Sequence, residues 1–348
     1  MPLWRATAMG LFAAALFGAS APFAKLLLPY TGPVLLAGIL YLGAGLALLP
    51  WRSPREARLQ RSDVPALAAS IVFGGVLGPV LLLWGLSRLP AVAASLLLNL
   101  EAPLTIALAV ALFGEHIGRV EAGGAALVVM GAAAISLAPQ PAARDLGSAV
   151  LQGAVAIALA CLCWALDNNL TARLSARDPV QVVRFKTLAA GVVNVTLGLA
   201  AGQRLATGRP LLFALVLGAL GYGASLVLFV RAQRVLGAAR QAALFATAPF
   251  VGALVAVPLL HERLGTLDLV AGTLMAAGVL ALARARHTHA HQHAPVEHAH
   301  AHVHDVHHQH AHDGADVPAT EPHSHQHAHD AVTHEHAHLP DAHHRHRH

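Results

Sequence analysis

Apolar runs of roughly 18–23 residues recur ten times along this chain, separated by charged or Pro/Gly-rich breaks. A run of that length is what an α-helix needs to cross the hydrocarbon core of a bilayer. The pattern predicts helices near 6–28, 33–50, 64–86, 91–113, 119–138, 148–171, 180–201, 211–230, 238–260 and 266–284, with the clearest breaks at Trp51–Asp63, Pro139–Gly147 and Gly202–Pro210. Several connections are only a few residues long, which forces neighbouring helices to run antiparallel. After residue 284 the apolar pattern stops altogether.

Composition agrees with that reading. Of 348 residues 56% are hydrophobic and 12% charged, at a mean hydropathy of +0.57, whereas a soluble domain carries about 25% charged residues. The polar tail dilutes even these averages, so the bulk is an integral membrane protein with the lipid bilayer as its first partner. The 20 prolines and 30 glycines fit, since both are commoner in membrane helices. Cys161 and Cys163 lie two residues apart in an apolar run and would point to nearly opposite sides of a helix. They suit neither a disulfide framework nor a metal pair. The opening MPLWRATAMGLFAAAL lacks a small-residue cleavage site at the right distance and reads as a retained first span.

Arginines set the expected orientation. With the N-terminus inside, the inner ends receive Arg5, Arg52, Arg55, Arg58, Arg61, Arg119, Arg173, Arg177, Arg231, Arg234, Arg284 and Arg286. The outer ends receive Lys25, Arg88, Arg144, Arg204, Arg209 and Arg263. Twelve against six favours both termini in the cytoplasm, in a cell inner membrane. The net charge of +5 is mostly inner-loop arginine. No nucleophile–base pair or phosphate loop points to an enzyme, and no face suggests nucleic-acid binding.

The chain is also written twice. Ala91–Glu121 returns about 146 residues later as Gly237–Asp268: Ala102–Pro103 falls on Ala248–Pro249 and, with a one-residue slip, Glu115 on Glu262. Phe17–Gly18 sits opposite Trp164–Ala165, Pro33–Val34 opposite Pro179–Val180, and Ser87–Arg88 opposite Gln233–Arg234. Five spans per copy is an odd number, so the second copy must enter the membrane from the other side. Inverted repeats of this kind mark secondary transporters, with a site where the halves meet. The fold class expected is all-α integral membrane, ten transmembrane helices as two inverted five-helix repeats over 4–138 and 148–284.

The AP-x₁₁-E-H ending of the fourth span and the AP-x₁₂-E-R ending of the ninth resemble the EamA family of the drug/metabolite transporter superfamily. So do the Gly-rich spans that follow them, GGAALVVMGAAAIS and AGTLMAAGVLALA. The resemblance covers about residues 4–284 and implies a cavity lined by spans 1–4 and 6–9, with spans 5 and 10 as scaffold. It says little about cargo, since that family carries amino acids, sugars, drugs and other metabolites. Two features depart from it: the acid Glu101 before the proline, and the long histidine tail.

Ionisable groups inside a span are costly, so each is a candidate functional residue. Glu101 lies near mid-span, with Asn99 two residues before it and Ser95 six before. Ser95 and Asn99 share an i, i+4 face, and the carbonyl freed by Pro103 adds a polar partner. A carboxyl held out of water takes up a proton readily, which makes Glu101 a substrate or proton site. The alternative is a structural acid paired with a base on a neighbouring span. Asp167–Asn168–Asn169 is the densest polar cluster in the apolar part, with Trp164 one turn earlier; it is either a binding site or a solvated helix end. Arg184 and Lys186 are candidate partners for Asp167 or Glu101, or snorkel to the interface. Asn194 and Tyr222 complete the expected cavity lining. Glu115 and Glu262 are expected to cap neighbouring helix starts or to bind a loop, beside the lone His116 and His261. Gly74-xxx-Gly78 and Gly198-xxx-Gly202 suit close helix packing.

From residue 285 to 348 the composition changes abruptly: 23 of the 25 histidines lie in the last 62 residues. The segment lacks an apolar face to offset ordering entropy and is expected to be disordered without metal. It carries its own duplication of 36 residues, with eleven of twelve histidines in register. Neutral imidazoles bind Zn, Ni, Co or Cu. The candidate ligands are His287, His289, His291, His293, His298, His300, His302, His307 and His308, then His323, His325, His327, His329, His334, His336, His338, His343 and His344. No cofactor is required.

The resulting reading is a carrier, monomeric or homodimeric, that moves a small organic solute outward by alternating access while its tail binds divalent metal. The rivals are a divalent-metal efflux carrier with the tail as collector, and a membrane-tethered metal store or sensor that no longer transports.

Overall fold

The computed structural model describes residues 3–51, 57–113, 118–136, 144–171, 174, 177–236, 241 and 244–284, and in the tail 287–292, 296–302, 323–329 and 333–338. Up to residue 284 the described chain is helical, and ten helical elements can be followed: α1 (Leu3–Leu27), α2 (Pro33–Ala47), α3 (Arg61–Leu86), α4 (Ala91–Leu97, a 3₁₀ turn Leu98–Leu100, then Glu101–Phe113), α5 (Arg119–Ser136), α6 (Arg144–Thr171), α7 (Pro179–Ala200), α8 (Arg209–Gly218 continuing to Leu236), α9 (Ala248–Leu260) and α10 (Thr266–Arg284). Eight are long and apolar enough to cross a membrane; α2 and α9 are apolar but shorter. The protein is thus a multi-pass membrane protein.

Helix ends follow local chemistry. Pro33, Pro179, Pro210 and Pro249 all sit in first turns, where a missing N–H costs nothing. Asp178 caps α7 by accepting from the Val180 amide at 2.9 Å. Several expected boundaries move. The second helix stops at Ala47 in a turn, three residues before the expected end, and α8 runs on to Leu236. In the ninth span a turn at Ala246–Thr247 precedes Pro249, so α9 proper starts at Ala248.

The third and eighth spans each contain a π-helical stretch, Ile71–Leu77 (IVFGGVL) and Ala219–Ala224 (ALGYGA). The two sit at equivalent places in the repeat, and both are built on closely spaced glycines that let the backbone widen. Such bulges are frequent at functional sites.

One apolar core joins the two halves: Leu35, Leu36, Leu40, Leu82, Leu86 and Leu97 of the first half are sealed with Ile157, Ala190 and Met275 of the second. Many large aliphatics are exposed, among them Leu212, Leu254, Val192 and Leu269, as lipid-facing surface requires. Helices α5 and α10 pack on each other through Gly124 and Gly278. A methyl group added at Gly278 would come within 2.6 Å of the Gly124 carbonyl oxygen, and one at Gly124 within 2.9 Å of that of Gly278. Of the glycine pairs expected to pack, Gly74 and Gly78 both face α6 and Gly198 faces Leu35. Gly202 instead turns the chain at φ +70° with open space around it.

In the tail, where composition predicts no regular structure, the described segments are extended. His287–Gln292 pairs antiparallel with Thr333–His338, and Val296–His302 with His323–His329. Histidine at every second residue is a strand period, which a backbone ladder accommodates without an apolar face. Two-stranded ladders of this kind are marginal on their own. His293, His307, His308, His343 and His344 lie outside the described residues.

Replacing Gly278 by Leu should lower the melting midpoint in detergent by a measurable step, through overpacking worth about 1–3 kcal/mol. Gly123→Leu, where nothing lies within 4 Å, should leave the midpoint unchanged.

Candidate functional site

The last turns of α6 carry Trp164, Asp167 and Asn168, and helical spacing puts the tryptophan beside both polar residues. Asp167 is not a solvated helix end. Its Oδ1 accepts from Ser70 Oγ at 2.5 Å, its Oδ2 pairs with Lys186 Nζ, and the two charged side chains are only 9% and 13% exposed. A pair so enclosed persists because each partner holds the other's charge. Lys186 therefore reaches inward to Asp167 instead of snorkelling. Arg184 takes the other expected course, with Nη1 3.4 Å from the Trp51 carbonyl oxygen near the end of α2.

Asn168 turns its amide to Glu101, with Nδ2 2.7 Å from Oε1. Glu101 is half-buried and opens the second section of α4 directly after the 3₁₀ turn. The ion pairs among the described residues are Lys25–Glu262, Arg177–Asp63 and Lys186–Asp167. None involves Glu101, so its described partner is a neutral amide and not a base on a neighbouring span.

The π-helical stretch of α3 supplies the adjoining wall. The Gly74 carbonyl accepts from Tyr41 Oη at 2.8 Å and Trp164 Nε1 at 3.3 Å, and the Gly75 carbonyl accepts from Asn194 Nδ2 at 3.1 Å. Rings continue the wall: Tyr41 lies 5.4 Å from Tyr222, which lies 5.7 Å from Phe17, itself 6.3 Å from Trp164 and 5.2 Å from Phe245.

Glu101, Trp164, Asp167 and Asn168 are thus brought together, with Asn194 and Tyr222 joined to them through Gly74, Gly75 and Tyr41. Asn99 and Ser95 are not part of the group. Asn99 Nδ2 bonds Leu96 O at 2.9 Å and approaches Met275 Sδ of α10, while Ser95 lies fully buried against Gly252 of α9. Asn99 sits within the 3₁₀ turn Leu98–Leu100 that joins the two sections of α4. Ser70, Tyr41 and Phe17 escape the sequence reading. The one signal for the first two is the Gly74–Gly75 pair, which marks the bulge they serve.

Elsewhere in the bundle the two halves are tied by one carboxylate. Glu262, just past the end of α9, accepts from the amides of Ala91 at 2.6 Å and Val92 at 2.9 Å, capping α4, and meets Lys25 Nζ of α1 at 3.4 Å. Lys25 also donates to the Leu89 carbonyl. This is the expected cap. His261 beside it takes the left-handed conformation that ends α9, at φ 53°. Glu115 and His116 lie outside the described residues.

Asp167→Asn should leave Lys186 as an uncompensated enclosed charge and cost about 3–5 kcal/mol. Adding Lys186→Met should recover a large part of the loss, measured as melting midpoints in detergent, because the two substitutions share one interaction.

Comparison with known proteins agrees with this architecture. The family model described as the EamA-like transporter family matches residues 4–137 and again 151–284. A protein of Methanothermobacter thermautotrophicus named only as an uncharacterized transporter is 29% identical over 283 residues, covering 76% of this chain and 82% of that protein. A solved structure titled only as the crystal structure of a protein superposes with a TM-score of 0.56 at 18% identity, over 80% of this chain and 97% of that one, which speaks to the fold alone. Two successive matches of one family model, spanning nearly all of the helical chain, place this protein in the EamA-like transporter family.

Proposed function

We propose that this transporter moves a small organic solute across a cell inner membrane by alternating access, outward from the cytoplasm, around a site centred on Glu101, Asn168 and Trp164. In this reading the chain crosses the membrane ten times as two inverted five-helix repeats, with both termini in the cytoplasm. The observation that carries the proposal is the place of Glu101. It is an acid inside a span, met by an amide and by no described cation, at the seam between the two family-matched segments. Glu101 and Ser70 come from the first segment, Asn168, Asp167 and Lys186 from the second. Rocking one half against the other would therefore change the surroundings of that carboxyl directly.

With the N-terminus inside, the Lys25–Glu262 cap lies at the outer end. It ties α1 and α4 of one half to α9 of the other, so access from outside requires it to open. A proton taken up or released by Glu101 as the cargo moves would couple flux to pH.

Flux in proteoliposomes, screened over a panel of small organic solutes, tests this reading. Glu101→Gln should cut the flux of the transported solute about tenfold or more, which raises the barrier by about 1.4 kcal/mol or more, and flatten its pH profile. Unchanged flux with an unchanged pH profile would contradict the role given to Glu101.

The tail is proposed to bind divalent metal through its alternating histidines, as a buffer or sensor beside the pore. The pairing register sets histidine opposite histidine, as at His289–His336 and His300–His325, which brings candidate ligand residues to facing positions. Full-length protein should bind Zn²⁺ or Ni²⁺ at neutral pH and release it as the pH falls through about 6, where imidazole protonates. A chain ending at Arg284 should lose that binding, measured by calorimetry, and keep its solute flux. Loss of flux together with the tail would favour a metal carrier instead.

A further inference from the structure

Where the ends of α2, α7 and α8 meet, two arginines converge on one tryptophan. Arg184 of α7 places Nη1 3.4 Å from the Trp51 carbonyl oxygen, and the Arg231 guanidinium of α8 lies 5.6 Å from the centre of the Trp51 ring. Neither arginine belongs to any of the three ion pairs among the described residues. Two guanidinium groups thus meet one tryptophan, neither of them in an ion pair with a described carboxylate.

The rim beneath them is firm and greasy. Leu48, Val180, Val183 and Val227 form a small buried cluster that locks the three helix ends together. Outward from it, Leu46, Leu49, Trp51 and Phe185 are 49%, 50%, 51% and 47% exposed. Charged donors beside exposed aliphatic and aromatic side chains match the two parts of a phospholipid, an anionic headgroup and an acyl chain. Tryptophan is itself a residue of the membrane interface, and guanidinium binds phosphate through paired N–H groups. Basic recesses between membrane helices recognise anionic headgroups on the same grounds.

We infer that Trp51, Arg184 and Arg231 form a binding site for an anionic phospholipid, with the phosphate held between the two guanidinium groups and an acyl chain laid over Leu46, Leu49 and Phe185. The site is separate from the Glu101 group and does not depend on what the protein carries.

The full chain in neutral detergent provides the test, with thermal protection and native mass spectrometry read after adding dioleoylphosphatidylglycerol, dioleoylphosphatidylcholine or inorganic phosphate. Phosphatidylglycerol should be retained and should protect; Arg184→Gln with Arg231→Gln should weaken its retention about 10–30-fold, and Arg209→Gln, a basic residue at another helix end, should leave it unchanged. If the double variant fails to fold, each single substitution should weaken retention about fivefold and decides the matter in the same way. Equal retention of phosphatidylcholine, equal protection by inorganic phosphate, or full phosphatidylglycerol binding by the arginine variants would each overturn the assignment.

Discussion

Hydrocarbon offers no hydrogen bonds, so a polar group inside the bilayer must find its partner within the protein. That constraint accounts for how several polar groups inside the bundle are paired. The Asp167 carboxylate is matched by Lys186 and Ser70, and the carbonyls of Gly74 and Gly75 by Tyr41, Trp164 and Asn194. The Glu262 carboxylate is matched by two free amides at the start of α4 and by Lys25. Each of these sets spans the two halves, although the Tyr41–Gly74 and Lys186–Asp167 contacts within them each lie in one half. The halves are therefore joined by polar contacts at a few points and by aliphatic packing everywhere else. Among these carboxylates Glu101 stands apart: it has only an amide to answer it among the described residues. A group left with so weak a partner is the natural place for something that comes and goes.

The two glycine-based π-helical stretches give the bundle its asymmetry of use. In α3 the bulge faces Trp164, Asp167 and Asn194, and its carbonyls are drawn into the polar group. In α8 the equivalent bulge presents Tyr222 to Tyr41 and Phe17, and the neighbourhood is aromatic. One duplicated device thus forms a polar wall in one half and an apolar wall in the other.

Much of this was legible in the amino-acid pattern. Ten apolar runs, the period of the repeat, the cap by Glu262 and the grouping of Trp164, Asp167 and Asn168 all follow from periodicity and from the cost of intramembrane polarity. Asn99 and Ser95 turn toward α10 and α9 and not toward Glu101; for Asn99 this fits helical spacing, which puts a residue two positions away on a different face. The bulges of α3 and α8 could not be read, since paired glycines in a membrane helix serve close packing as readily as backbone widening. Ser70 and Tyr41 become important only because α3 bulges toward α6. The choice of Lys186 over Arg184 as partner to Asp167 was likewise a matter of three-dimensional reach. In the tail, the alternation that suggests metal ligands is also a strand period, and composition alone hid the second meaning.

The central claim is that the carboxyl at the seam between the halves faces the transported solute. The most direct measurement is the rate at which a maleimide alkylates a cysteine placed at Asn168, in a background with Cys161 and Cys163 replaced by serine, with and without a solute shown to be transported. The account predicts that the solute slows alkylation, and that the protection disappears when Glu101 is also replaced by glutamine. An alkylation rate indifferent to a transported solute would contradict it.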